Sequence, residues 1–288
     1  MTGHRDVIHF CNTFATLLQH QQIGTNTVTQ WVRFRNAAGV ESFGVLQSDG
    51  QGEARIHVHS GNMFEHPTPT GNFIALSSVR LLTPTRPSKV IALWNNFRAG
   101  AEKLNLAIPA EPHYFLKAPN AYLNPFETIR KPKACEGKVG FEGELGVVIG
   151  RICKEVAEAE AMSHVFGYTC VNDVGIFEIV NRNPAFAQWV RGKGFDTFCP
   201  MGPVAATGLE PATLVVKSML NGEVRQNYPI SDMIFSVAQL VSLISQDMTL
   251  YPGDIITCGT SIGAGSMKPG STIEIEINGI GKLINTIE

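Results

Sequence analysis

From residue 27 to the C-terminus, short apolar runs of strand length follow one another with few helical stretches between them. A doubly wound sheet needs a crossover of about a dozen residues, usually helical, between consecutive parallel strands. That alternation is missing, so the pattern predicts an α+β, mostly β architecture. Residues 27–48, TVTQWVRFRNAAGVESFGVLQS, set two alternating runs on either side of the turn-prone Asn36-Ala37-Ala38-Gly39, which is a hairpin signal. A weaker strand follows in ARIHVHS, then a Pro/Gly/Thr-rich stretch, FEHPTPTGN. The two prolines of LLTPTRPSK (81–89) precede a new apolar strand, VIALW, and place a domain boundary near residue 85. The expected division is a small N-terminal domain, 1–84, and a larger domain, 85–288.

In the larger region FRAGAEKLNLA (97–107) and EVAEAEAMSHV read as short helices, and VFGYTCVNDV as an apolar strand with a polar end. ATLVVKSMLNGEVRQNYPI reads as a hairpin turning on Asn221-Gly222. SDMIFSVAQLVSLISQDM has apolar residues at helical spacing, with Ser231 or Asp232 as the expected N-cap. A final pair of strands closes the chain.

Composition limits the functional classes. At 44% hydrophobic and 17% charged, the chain has the material for a sizeable core. A net charge of −2 gives no support for a nucleic-acid partner. No apolar run approaches the roughly 20 residues needed to span a bilayer. The first 22 residues lack the charged start, continuous apolar stretch and small-residue cleavage site of a secretory signal. The six cysteines, Cys11, Cys135, Cys153, Cys170, Cys199 and Cys258, are scattered without a CxxC pair. They read as free thiols in a reducing cytoplasm.

The most informative stretch is FEGELGVVIG. In an extended strand, residues i and i+2 share a face, so Glu142 and Glu144 project together. Gly143 between them leaves room for close backbone approach. Two like charges heading an apolar run, Leu145 to Ile149, are costly unless neutralised. A solvated edge is the bland solution; a hard cation such as Mg²⁺, which prefers oxygen ligands, is the sharper one. Asp173, closing the apolar run VFGYTCVND, is the third candidate ligand.

Other features read more simply. GTSIGAG (259–265) lacks the Lys-Ser/Thr of a phosphate loop and no helix pattern follows it, so a glycine-rich turn is expected. PGD (252–254) reads as a turn. His57 and His59 alternate on one strand without a third ligand at suitable spacing, and are expected at the surface. Lys193 lies among glycines in RGKGFDTF, with nothing local to mark it as more than a solvated lysine.

With KGFDTFCPMGP, LNGEVRQ, MTLYPGDIITCGT and the closing INGIGKLINTI added in this order, residues 80–288 resemble the fumarylacetoacetate hydrolase superfamily. Residues 29–48 look like the small N-terminal domain of its two-domain bacterial members. The resemblance implies a mixed β-roll preceded by a small α/β domain, a homodimer, and a divalent cation, Mg²⁺ or Mn²⁺, held by Glu142, Glu144 and Asp173. It implies a site lysine at Lys193, a loop threonine at Thr260 and a basic residue at Lys117 in YFLKAP. The implied substrates are small 2-oxo acids, handled by hydrolysis, decarboxylation or isomerisation.

Three departures modify this expectation. Hydrolytic members carry Asn-Tyr-x-x-His after the first strand of the large domain, where the histidine and a nearby glutamate activate water. Here the segment is Asn96-Phe97-Arg98-Ala99-Gly100, and no histidine lies between His66 and His113. Glu102 stays as a candidate catalytic acid-base residue, with His113 as another candidate base. The family's Arg and Gln substrate contacts are matched by Phe177 and Val180, which favours a less polar substrate tail or a different reaction. Ser261 follows Thr260 where proline is usual. Lyase or isomerase chemistry without activated water is therefore the leading expectation, ahead of acylpyruvate hydrolysis by a substitute base and ahead of a non-catalytic binding protein.

Overall fold

The computed structural model describes residues 27–48 and 53–288. The N-terminal segment and Cys11 lie outside them. A twelve-stranded mixed sheet forms the larger layer. Its path runs Glu65–Ala75, Ala54–Asn62, Glu41–Ser48, Thr29–Arg35, Cys199–Thr207, Val165–Asn172, Gly143–Ile149, Ile255–Thr257, Val90–Trp94 and His113–Lys117. Two short strands, Arg80–Leu81 and Tyr122–Leu123, pair off this path. A five-stranded sheet runs Glu223–Pro229, Val215–Leu220, Thr272–Ile277, Gly281–Ile287, Thr128–Ile129. It packs on the central strands of the first.

Burial explains the two strand textures. Gly143–Ile149 is covered on both faces and reads as a near-continuous apolar run. Thr272–Ile277 is covered on one face, so Ile273, Ile275 and Ile277 are buried while the residues between them are half-buried.

The expected hairpin at Asn36–Gly39 forms, with Asn36 Oδ1 accepting from the N–H groups of Ala38 and Val40, both at 3.0 Å. Asn221-Gly222 turns the second hairpin, both residues having positive φ, 53° and 81°. The Pro/Gly/Thr-rich stretch is itself a strand, Glu65–Ala75, at the sheet edge with register breaks. An edge leaves one side of the backbone unpaired, which is where Pro67 and Pro69 can be accommodated. Among the described residues before 85, the helical element is a 3₁₀ turn, Leu76–Ser78.

The expected helices are shorter than their sequence windows: Arg98–Lys103 and Glu158–Ala161, the latter running on as the 3₁₀ turn Met162–His164. The cap of the long helix differs too. Val237–Asp247 is capped by Ser236, which accepts from the Gln239 N–H while the Gln239 side chain accepts from the Ser236 N–H. Ser231 and Asp232 lie in a preceding 3₁₀ turn, where Asp232 accepts instead from the Ala99 N–H at 3.0 Å.

Thr29–Arg35 pairs antiparallel with Cys199–Thr207, so the N-terminal strands extend the large sheet. The boundary proposed near residue 85 falls in a segment held from both sides. Arg33 donates to the carbonyls of Thr83 and Thr85 at 2.7 and 2.9 Å. Asp254, beyond its expected role in a PGD turn, accepts from the N–H groups of Ser88, Lys89 and Tyr251, from the Ser88 hydroxyl, and from Lys89 Nζ at 2.6 Å.

Four of the described cysteines are buried free thiols and Cys135 is half-buried. No helix among the described residues is long and apolar enough to cross a membrane.

Asp254→Ala removes the acceptor from all five donors, three of them backbone, and is expected to cost about 3 kcal/mol. Urea unfolding of the purified protein checks this; a loss under about 1 kcal/mol contradicts the pinning role.

Candidate metal centre and cavity

Pairing of Gly143–Ile149 with Val165–Asn172 sets Gly143 opposite Asn172 and Glu144 opposite Val171. One residue beyond each strand, the Asp173 N–H donates to the Glu142 carbonyl at 2.8 Å, and the Glu142 N–H donates to Asn172 Oδ1 at 3.1 Å. The consequence is convergence. Glu142, Glu144 and Asp173 each offer one carboxylate oxygen within 4.8 Å of the others. Among the described residues, no other group of three His, Cys, Asp or Glu side chains gathers in this way.

Gly143 is held on every side. A Cβ there would lie 2.2 Å from Ser218 Oγ and 2.9 Å from Ile275 Cδ1, so only glycine fits between the two glutamates. Its N–H donates to Gln226 Oε1 at 3.0 Å, and its carbonyl accepts from Thr260 Oγ1 at 3.1 Å and from the Tyr228 hydroxyl. Gln226 Nε2 in turn donates to Thr260 Oγ1 at 2.8 Å, and Ser218 Oγ donates to Gln226 Oε1 at 2.8 Å. One amide side chain thus joins the strand of the carboxylates to the Thr260 loop.

Two buried lysines face the cluster. Lys117 Nζ donates to Asp173 Oδ1 at 2.6 Å and to the Val174 carbonyl at 2.9 Å. Lys193 Nζ donates to Asp173 Oδ2 at 2.8 Å, to the Asp173 carbonyl at 3.0 Å, and to the Glu142 carboxylate. Lys193 ends the short helix Trp189–Lys193, and its stem lies against Gly175, where a Cβ would meet its Cδ at 2.7 Å.

Charge does not balance. Glu144 takes part in none of these ion pairs; its Oε2 accepts the Gly259 N–H at 2.9 Å. At 4.8 Å two unit charges repel by about 3.5 kcal/mol in an effective dielectric of 20. Burial, then the charges of Asp173 and Glu142, push the Glu144 carboxyl well above its ordinary range. Burial also raises Glu142, against the pull of Lys193. For Asp173, burial is outweighed by Lys117 and Lys193, and its carboxyl is held low. Three oxygen donors, buried at Glu144 and Asp173 and half-buried at Glu142, with two lysines against three carboxylates, fit a hard divalent cation such as Mg²⁺ or Mn²⁺.

A cavity of about 190 Å³ opens onto the cluster. Glu142, Glu144, Asp173, Lys193, Thr260 and Gly100 line it, with aromatic and aliphatic walls above. The other expected site residues lie elsewhere. Glu102 is exposed and is not part of the lining, although its neighbours Ala101 and Lys103 are. His113 is exposed, is not part of the lining, and stacks against Trp94 at 5.8 Å. Lys117 is behind Asp173 and off the cavity, so its contact is with the carboxylate. Phe177 lies 4.9 Å from Lys193 Nζ and lines a neighbouring cavity. Val180 is buried under Gly192, where a Cβ would meet it at 2.4 Å. His57 and His59 are half-buried and bound up in ring contacts with Phe73 and Trp31. Gln226 and Tyr228 are the residues that sequence reasoning missed; the one available signal was their i, i+2 spacing on a strand.

Residues 89–288 match the model for the fumarylacetoacetate (FAA) hydrolase C-terminal domain, and residues 29–84 match the Rv2993c-like N-terminal model. The chain belongs to the fumarylacetoacetate hydrolase family. It is an enzyme of that family with the family's mostly β fold. It is 42% identical to protein Rv2993c of Mycobacterium tuberculosis over 78% of this chain and 84% of that one. It is 38% identical to the oxaloacetate tautomerase YisK of Bacillus subtilis over 75% and 76% of the two chains. A crystal structure of 2-hydroxyhepta-2,4-diene-1,7-dioate isomerase from Mycobacterium marinum superposes with a TM-score of 0.81 at 38% identity, covering 90% of this chain and 98% of that one. Fumarylpyruvate hydrolase from Pseudomonas aeruginosa, a family structure in complex with Mn²⁺ and pyruvate, gives 0.66 at 27% identity over 70% and 90%.

Gln226→Ala frees Gly143 and Thr260 at once, and is expected to weaken Mn²⁺ binding tenfold or more by calorimetry, as loss of an outer partner of a metal site does. Mn²⁺ affinity equal to wild type contradicts this clamp.

Proposed function

We propose that this enzyme carries out metal-dependent keto–enol chemistry on a small 2-oxo carboxylate: tautomerisation, isomerisation or decarboxylation, without activated water. One observation carries the reading. At the cavity wall where hydrolytic relatives are expected to carry a histidine stands Gly100, and what lines the space near it is Phe97, Ala101, Leu104 and Leu106. A hydrolytic reading needs Glu102 or His113 to reach a ligand, and both are exposed and outside the lining. The names of two relatives, an oxaloacetate tautomerase and a dienedioate isomerase, point the same way, since both describe rearrangements with no net entry of water.

Glu142, Glu144 and Asp173 would hold the cation, which when bound supplies Lewis acidity toward the carboxylate and oxo oxygens of such an acid. The remaining work falls to the chain's own groups. Removing or returning a proton beside the keto group moves negative charge onto the oxo oxygen. Lys193, a fixed ammonium in the cavity floor, stands where it can oppose that charge. Thr260, fixed by Gln226 and Gly143, presents its loop to the same space. The apolar wall excludes water, which strengthens each of these electrostatic terms.

With Mg²⁺, the protein is expected to accelerate ketonisation or decarboxylation of an oxo acid such as oxaloacetate and to lose this on chelation, while leaving acylpyruvates uncut. Running both substrates in H₂¹⁸O separates the readings. Acylpyruvate cleavage with ¹⁸O in the product carboxylate contradicts the proposal.

A further inference from the structure

The walls above the charged floor are organised. Phe115 lies with its ring centre 5.8 Å from Lys193 Nζ. Trp189 stacks on Phe115 at 5.0 Å and 21°, and Trp94 follows at 5.8 Å from Trp189. All three rings line the cavity. They form a ladder that starts at the site lysine and runs outward, and each is only half-buried. Half-buried rings facing one small space present flat apolar surface that water wets poorly, and flat surface is matched best by another flat ring.

Charge in the cavity points to the same class of ligand. The cations of the lining are Lys193 and Lys103. Lys193 is engaged by Glu142 and Asp173, and Lys103 is exposed at the end of the helix Arg98–Lys103. A second carboxylate placed along the ladder would be desolvated against tryptophan without a buried partner, which is unfavourable. Size agrees: an apolar cavity of about 150 Å³ takes a benzene ring, and this one is about 190 Å³ with a polar floor.

Building on the keto–enol reading above, we infer that the substrate is a 2-oxo acid whose C3 carries a planar aromatic group, an arylpyruvate, with the ring against Phe115, Trp189 and Trp94. The reaction is the interconversion of its enol and keto forms. The enol O–H proton is lost, the C=C electron pair takes a proton at C3, and the oxygen pair forms the C=O. Atoms and electrons balance with no oxidant or co-reactant.

The test compares ketonisation of enol-phenylpyruvate and enol-oxaloacetate by the Mg²⁺-loaded full chain, wild type and Trp94→Leu. Wild type is expected to favour phenylpyruvate in kcat/KM by about tenfold or more. Trp94→Leu is expected to cut that preference roughly threefold to tenfold, as loss of one ring contact does. Equal rates, or preference for oxaloacetate, overturn the aryl assignment and leave the keto–enol reading standing. Saturation-transfer NMR of phenylpyruvate ring protons, with and without Mg²⁺, covers the case in which neither acid turns over. Ring protons saturated in wild type and weakened in Trp94→Leu uphold the aryl site while the keto–enol reading falls. No transfer in either form overturns both.

Discussion

Mutual repulsion among Glu142, Glu144 and Asp173 is the constraint on which the rest of this structure depends. Three carboxylates packed this closely and this deeply would drive their strands apart or take up protons unless positive charge met them. Lys117 supplies part of it through Asp173 and Lys193 through Asp173 and Glu142, which leaves Glu144 with the Gly259 N–H. The remaining deficit is one that a hard cation would meet. Removing one lysine would leave buried charge uncompensated, which is more damaging than never having built the pair.

The fold serves that crowding by making the backbone rigid where the charges meet. Gly143–Ile149 lies in the middle of the twelve-stranded sheet, flanked by Val165–Asn172 and Ile255–Thr257. From the other sheet, Gln226 and Tyr228 reach across to the peptide groups of Gly143. The site is thus assembled from segments far apart in sequence, and the packed pair of sheets brings the strand of the carboxylates against Lys193 and the Gly259-Thr260 loop. Around it lie the short helix bearing Gly100, whose Ala99 N–H donates to Asp232, and the exposed Leu104 in the cavity lining.

Much of this was legible in the chain. Period-two spacing put Glu142 and Glu144 on one face, and a carboxylate ending an apolar strand singled out Asp173, because an ionised group in apolar surroundings is expensive whatever the fold. The predominance of strands followed from the missing helical crossovers. Lys193 had no local mark and came only with the family resemblance, since what matters about it is a tertiary contact with Asp173. Gln226 and Tyr228 escaped because EVRQNYP does not say which of its faces is covered. Lys117 and Val180 match substrate-contacting positions in the resemblance, yet one sits behind Asp173 and the other under Gly192; which shell a residue occupies depends on packing that a motif does not encode. The helix cap is different in kind: Ser236 and Gln239 spell a capping box in the sequence itself, a few residues after the Ser231-Asp232 pair that also has N-cap chemistry.

A single hard cation among these three oxygens would meet the charge deficit. Anomalous diffraction from crystals soaked in Mn²⁺ addresses it without reference to any substrate. One strong peak within coordination distance of Glu142, Glu144 and Asp173, lost in Glu144→Gln crystals, is the expected result. A cluster left empty at saturating Mn²⁺, with Lys193 still bridging Glu142 and Asp173, would contradict it.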